Sequence, residues 1–333
     1  MDGCYIKGIE YYFPQKVELN EMSASVIKQK IGIRSRYIAE KNEYASDLAC
    51  HAANKVISKV SNNEDIDFLL YCTQSPDYII PTTACILQSK IKLNNSCGAL
   101  DFNLGCSGYV YGLSLAKGLI LSGQANNILL ITSDTLSKYI NPKDKSLTPI
   151  FGDGATATII SKQISSSSSI GEFVFSTDGN GAENLIIPAG GLKQPIDQNS
   201  RLEKEDHNGN VRSDANLYMN GPEIFKYAFY EVPLSIKRFL NKENSKIEDY
   251  DYFVFHQANH YMMEMIRRKL EIPKEKFSVQ IEDGGNTGSS SIPIALKREV
   301  ERKAIKSGDR VMLVGFGVGY SLSICSIVWN SNN

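Results

Sequence analysis

Tryptophan is almost absent from this 333-residue chain: Trp329 is the only one. Histidine is scarce too, with His51, His207, His256 and His260 making up the full set. Neither sign of charge dominates, since 36 Lys and Arg meet 37 Asp and Glu for a net charge of −1. That balance leaves no overall basic field to hold nucleic acid or an anionic membrane. No apolar run approaches the roughly 18 residues that span a bilayer. The opening MDGCYIKGIEYY lacks the basic-then-apolar pattern of an export signal. The seven cysteines, at 4, 50, 72, 85, 97, 106 and 325, are odd in number and scattered, with no C-x-x-C pair. This argues against a disulfide framework or a structural zinc site and fits a reducing cytoplasm. No cofactor and no metal are expected.

Short apolar runs alternate with amphipathic stretches along the chain. Strands are predicted at 67–72, 100–103, 127–132 and 155–160, with helices at 82–91 and 107–122. Five serines at 165–169 read as a flexible surface connection near the middle of the sequence. Beyond them the pattern restarts: helices at 222–240, 261–270 and 292–304, and strands at 251–255, 277–281 and 310–315, the last leading into a glycine-rich hairpin. Two βα series of similar length, 1–165 and 166–333, are therefore expected, related by order of elements and not by clear identity. Alternating β and α favours mostly parallel sheets covered by helices.

Three clusters carry chemistry. LDFNLGCSGY at 100–109 is a strand, a tight turn and a helix start, which puts the Cys106 thiol at a helix N-terminus. Exposed N–H groups and the macrodipole there favour thiolate over thiol. The other six cysteines read as small buried hydrophobes, the usual fate of a free cysteine. DYFVFHQANH at 251–260 sets His256 at the end of a buried strand, where α/β proteins place ligands. Its partner four residues on, His260, raises a metal pair, but the motif lacks the glutamate of a zincin and a third ligand. EDGGNTGSSSIP at 282–293 is a glycine-rich loop entering a helix. No lysine follows its glycines, so a phosphate loop is poorly supported, and Asn286 reads as an amide donor held at a fixed point. Cysteine, histidine and asparagine at three element ends suggest thiol chemistry on a carbonyl. On spacing alone a cysteine hydrolase reads the same three residues as nucleophile, base and orienter.

Further segments join these: GIRSRYIA at 32–39, PDYIIPTTAC at 76–85, FGDGA at 151–155, LIIPAGG at 185–191, MNGPEIFK at 219–226 and GFGVGY at 315–320. In this order, nearly end to end, the chain resembles β-ketoacyl-acyl-carrier-protein synthase III of the thiolase-like condensing enzymes. The resemblance implies an α/β, five-layered αβαβα fold from two similar halves, the first carrying the cysteine and the second the histidine and asparagine, usually as a homodimer. It also implies decarboxylative condensation. Cys106 takes the acyl group, with the backbone N–H groups of Cys106 and Val318 as oxyanion hole. His256 and Asn286 hold the enolate that malonyl-acyl-carrier protein leaves on losing CO₂. The FGDG segment and the 315–319 hairpin support the site. Ile80 matches a position that shapes the acyl pocket, often across the dimer. Lys226, Arg268 and Lys269, with Arg267, are candidates for meeting an acidic carrier.

The chain also departs from the family. Its members commonly carry a tryptophan shortly before the GIR motif, against the adenine of coenzyme A, and segment 20–30 has none. His260-Tyr261 stands where an arginine often follows HQAN, and Lys145 where an arginine precedes FGDG. Acyl-CoA and acyl-acyl-carrier protein therefore both remain open as donor. Cys325 sits in a strand pattern, not in the glycine-rich motif of a degradative thiolase. No glutamate lies between Glu64 and Cys106, as a hydroxymethylglutaryl-CoA synthase requires. The rival on the same scaffold is an acyltransferase that passes the acyl group to an alcohol or amine.

Overall fold

The computed structural model describes residues 2–20, 30–60, 63–164 and 169–330. The tryptophan-free segment and the serine run at 165–169, with the boundary drawn there, fall largely outside the described residues. Five strands, β1 (Asp2–Tyr12), β2 (Phe68–Cys72), β3 (Gly98–Phe102), β4 (Asn127–Asp134) and β5 (Gly154–Ile164), form one sheet in the order β1-β5-β4-β2-β3. Four more, β6 (Ile170–Thr177), β7 (Tyr252–Phe255), β8 (Arg310–Gly317) and β9 (Ser321–Val328), form a second in the order β6-β9-β8-β7. The order and sense of pairing recur. β1·β5 and β6·β9 are antiparallel, as are β5·β4 and β9·β8, while β4·β2 and β8·β7 are parallel.

Alternation along the strands explains the layering. In β2 and β4, Leu70, Ile128 and Leu130 face one side, while Leu69, Tyr71, Leu129 and Ile131 face the other. The outer side is covered by helices α1 (Ala45–Val60) and α2 (Thr83–Ile91), through Leu48, Ala52, Val56 and Leu87. Helices α3 (Gly108–Leu121) and α6 (Ser291–Glu301) lie between the sheets, where Val110, Leu113, Ile292 and Leu296 pack with Leu130 of one and Val254 and Leu313 of the other. Helices α4 (Gly221–Glu243) and α5 (His260–Lys269) cover the far side through Val232, Phe239, Met263 and Ile266. The result is the five-layered αβαβα arrangement. Among the described residues no helix is long and apolar enough to cross a membrane.

Three expectations need correction. The sheets are mixed, not mostly parallel. Residues 318–320 turn β8 directly into β9, and 135–153 return β4 to β5 with one 3₁₀ turn and no crossover helix. Either connection delivers the next strand antiparallel. The strand predicted at 277–281 shrinks to a single bridge, Phe253 to Phe277. There the Gln257 side chain replaces the ladder, accepting from the Gln280 N–H at 2.7 Å and donating to the Phe255 carbonyl at 2.7 Å. Finally, β1 and β6 went unread. Both are edge strands in which polar residues break up the apolar ones, so neither shows a long apolar run.

Candidate active site

The two central helices begin at the same end of the molecule, and that fact assembles the site. Cys106 lies in the turn between β3 and α3, and Asn286 in the loop that leads into α6. His256 follows the last residue of β7. All three line one narrow cavity of about 70 Å³, walled by Ile150, Phe151, Leu185, Met219, Met262 and Phe316.

Cys106 is buried beneath β8. A Cβ on Gly317 would stand 3.0 Å from the Cys106 sulfur, and one on Gly315 would stand 2.7 Å from Ser107 Cα. Only glycine admits so close an approach of the two backbones. Ser107 and Ser321 hydroxyls meet at 2.6 Å, and Ser323 Oγ donates to the Ser107 carbonyl at 3.0 Å. The cysteine turn is thus pinned to the second sheet. The backbone N–H groups of Cys106 and Val318 both act on the sulfur and hold its pKa down. Burial nonetheless pushes the thiol up to about 12, and the Asp134 carboxylate works in the same direction. The N–H groups at the helix start thus act in the expected direction, towards thiolate, but burial outweighs them. The end of one helix acts through its first turn, whereas every layer around the sulfur removes water from it.

His256 is buried, and its backbone N–H donates to the Val314 carbonyl at 2.8 Å. Ring Nδ1 lies 2.7 Å from Ser291 Oγ, and the edge of Phe316 meets the ring at 5.5 Å between centroids. Nε2 is left without a protein partner among the described residues. Burial alone pulls the imidazole down from 6.5 to about 3, so it is neutral at pH 7. Asn286 takes the Gly288 N–H on Oδ1 at 2.9 Å, which settles the amide orientation and leaves its NH₂ for the cavity.

The loops around these residues are braced from several sides. Phe151 and Asn286 form a parallel bridge, with the Gly152 N–H on the Asn286 carbonyl at 3.1 Å and the Asn286 N–H on the Ile150 carbonyl at 2.9 Å. The FGDG segment therefore positions the asparagine loop. Asp134 ends β4 and went unnoticed in the sequence. It is buried, and it accepts from the Gln74 N–H at 2.7 Å and the Ser289 hydroxyl at 2.7 Å, joining three loops. Burial raises it to about 7. Ser291 was also missed, because nothing in three consecutive serines distinguishes one from another.

The remaining predicted contacts lie elsewhere. Val318 reaches the Cys106 sulfur with its backbone N–H, while its side chain lies against Gly105. Ile80 projects from the surface at 84% exposure, beside Ile79 at 91%. Lys226 pairs with Glu223 at 3.6 Å, Arg267 and Arg268 share Glu264, and Lys269 sits over the rings of Phe229 and Tyr230. None of Ile80, Lys226, Arg268 and Lys269 lines the cavity. His260 opens α5 and packs against Gly32, away from the cavity wall.

Known proteins match this chain over nearly its whole length. Two family models match: 3-oxoacyl-[acyl-carrier-protein] synthase III over residues 100–179, and its C-terminal counterpart over residues 240–329. A β-ketoacyl-[acyl-carrier-protein] synthase III of Clostridium perfringens is 38% identical over 96% of this chain and 97% of its own. A crystal structure of a 3-oxoacyl-(acyl-carrier-protein) synthase III superposes with a TM-score of 0.96 at 45% identity, covering 98% of this chain and 100% of that one. The 3-oxoacyl-(acyl-carrier protein) synthase of Burkholderia xenovorans LB400 gives 0.90 at 34% identity, with 99% and 95% covered.

Proposed function

This chain belongs to the 3-oxoacyl-[acyl-carrier-protein] synthase III family of condensing acyltransferases, and on that premise we propose the following course of reaction. The Cys106 sulfur attacks the carbonyl carbon of an acyl thioester. The oxyanion is held by the N–H groups of Cys106 and Val318. The carrier's C–S bond breaks, and the cysteine proton leaves with the carrier thiol. A malonyl-acyl-carrier protein then binds, and the bond to its carboxylate breaks. CO₂ departs, and the electron pair passes into an enolate whose oxygen His256 and Asn286 hold. The enolate carbon attacks the acyl-Cys106 carbonyl, the sulfur leaves as a thiolate and takes a proton from water to restore the thiol, and a 3-oxoacyl thioester is released.

The observation that carries this reading is the convergence of Cys106, a neutral His256 and the free NH₂ of Asn286 on one cavity. A cysteine hydrolase uses its histidine as a base, and an imidazole pulled down to about 3 is a poor one. As a hydrogen-bond donor to an enolate it needs no basicity.

The same reading treats residues 1–165 as the half bearing the nucleophile and 166–333 as the half bearing His256 and Asn286. It places the enzyme in the cytoplasm as a homodimer. Tyr78, Ile79, Ile80 and Leu192 form exposed apolar surface that a second copy would cover, with Ile80 closing the partner's acyl pocket. Lys226, Arg268 and Lys269 would face the acidic carrier, although Glu264 offsets Arg268.

Incubation with a panel of acyl-CoA and acyl-carrier-protein donors, followed by malonyl-carrier, tests the reaction. One CO₂ should appear per 3-oxoacyl product. Acyl loading with no CO₂ from any donor would point instead to transfer onto an alcohol or amine. The pH profile supplies a second expectation. Because His256 titrates near 3 and not near 6.5, its donor capacity does not change across the neutral range. The rate of malonyl decarboxylation should therefore show no acid limb between about pH 7.5 and 5.5. A limb near 6.5 would mean either a solvated imidazole or titration of Asp134, which burial raises to about 7, and a limb that persists in Asp134→Asn would assign it to the imidazole.

A further inference from the structure

The three serines that precede and open α6 have three different partners. Ser289 donates to Asp134 at 2.7 Å, Ser290 donates to the Thr132 carbonyl at 2.9 Å, and Ser291 lies 2.7 Å from His256 Nδ1. The first two bonds lock the helix entry onto β4 and so fix the third hydroxyl beside the imidazole. We propose that Ser291 is the positioning residue that holds His256 in its Nε2–H form, so that the ring presents a proton, not a lone pair, to the cavity. This deepens the condensation reading and rests on it for its consequence, though not for its geometry.

A buried donor needs an acceptor, and that requirement selects the tautomer. Ser291 is buried, and its oxygen already accepts a long bond from the Gln257 N–H at 3.4 Å. Suppose the ring proton were on Nδ1. The serine oxygen would then accept from both nitrogens, and its own O–H would have no acceptor among the described residues. A buried donor left unmade is the costly arrangement. With Nδ1 unprotonated, the serine donates to it and accepts from Gln257, so both groups inside the protein are paired and only Nε2, at the cavity, is left for a ligand. Nε2 then carries the hydrogen. That tautomer can hold an enolate oxygen, whereas a lone pair on Nε2 would repel it. The burial that keeps the ring neutral makes the choice of tautomer decisive, because a doubly protonated ring would donate from either nitrogen.

The test uses the full chain labelled with ¹⁵N-histidine. Long-range ¹H–¹⁵N spectra separate protonated from bare ring nitrogens, and four histidines allow His256 to be assigned by difference with His256→Ala. The expected spectrum has Nε2 protonated and Nδ1 bare. In Ser291→Ala the tautomers should mix or invert. Malonyl decarboxylation should fall at least about tenfold, short of the ~10²–10³ that complete loss of such a donor costs. Acyl loading of Cys106 should stay within about twofold, since it does not involve His256. Ser291→Thr, which keeps the hydroxyl, should restore both the spectrum and the rate. A native spectrum with Nδ1 protonated overturns the proposal, as does a Ser291→Ala enzyme with unchanged tautomer and rate. Should Ser291→Ala fail to fold, the native spectrum alone decides. An Nε2–H ring in an enzyme that releases no CO₂ from malonyl-carrier would uphold the tautomer and overturn the condensation.

Discussion

Cys106→Ala eliminates covalent acyl loading and lowers condensation by a factor on the order of 10⁶, the scale of loss when a covalent nucleophile is removed. Six other cysteines could in principle take an acyl group, but their positions argue otherwise. Cys4 and Cys325 are sealed in the core between the sheets, and Cys72 is buried with its thiol on the Leu104 carbonyl at 3.0 Å. Cys50, Cys85 and Cys97 are half-buried or exposed, and none of them lines the cavity. Intact mass after incubation with donor should show one adduct on the native chain and none on Cys106→Ala. An adduct persisting on the variant would assign the nucleophile elsewhere. Malonyl decarboxylation should survive in the same variant, because the donors that hold the enolate are untouched. Its survival would separate the two half-reactions within one protein.

His256→Ala and Asn286→Ala have the complementary effect. Each should load Cys106 at close to the native rate and then stall as the acyl-enzyme, with condensation reduced by ~10²–10³. The neutral imidazole and the amide each supply one N–H to a charge that exists only after CO₂ has left, so their loss weakens that state and not the first acylation. The two donors act on a single oxygen, so the double variant should lose less than the product of the single losses. Rapid quench with labelled malonyl-carrier would show acyl-Cys accumulating without CO₂. If either single variant condensed at the native rate, its residue would have no part in holding the enolate. If either failed to load, it would belong to the first half-reaction and not the second.

Much of this site was legible along the chain. The strand–turn–helix around Cys106 is local. Glycines at 105 and 108, a short strand before and an amphipathic stretch after can all be read in one window. The same holds for His256 at the end of an apolar run and for Asn286 in a glycine-rich loop. The five-layered fold followed from the family resemblance, whereas the alternation of elements gave an α/β fold with the wrong, mostly parallel, sheets. The edge strands β1 and β6 were not legible, since polar residues break up their apolar ones.

The sequence by itself determined which residues could do chemistry, and in which kind of turn each sits. Tertiary structure alone decided their state. Cys106 at a helix N-terminus promised a thiolate, yet the central layer buries it and the thiol is pushed up to about 12. His256 promised an ordinary imidazole, yet burial brings it to about 3 and makes it a neutral donor. Three identical serines became three different devices once α6 was docked against β4 and β7. The physical reason is common to all three cases. A helix end or a turn acts over a few residues, and those residues are neighbours in sequence. Desolvation and side-chain pairing, by contrast, sum over whatever surrounds an atom, and around this cavity those neighbours run from Cys106 to Gly317.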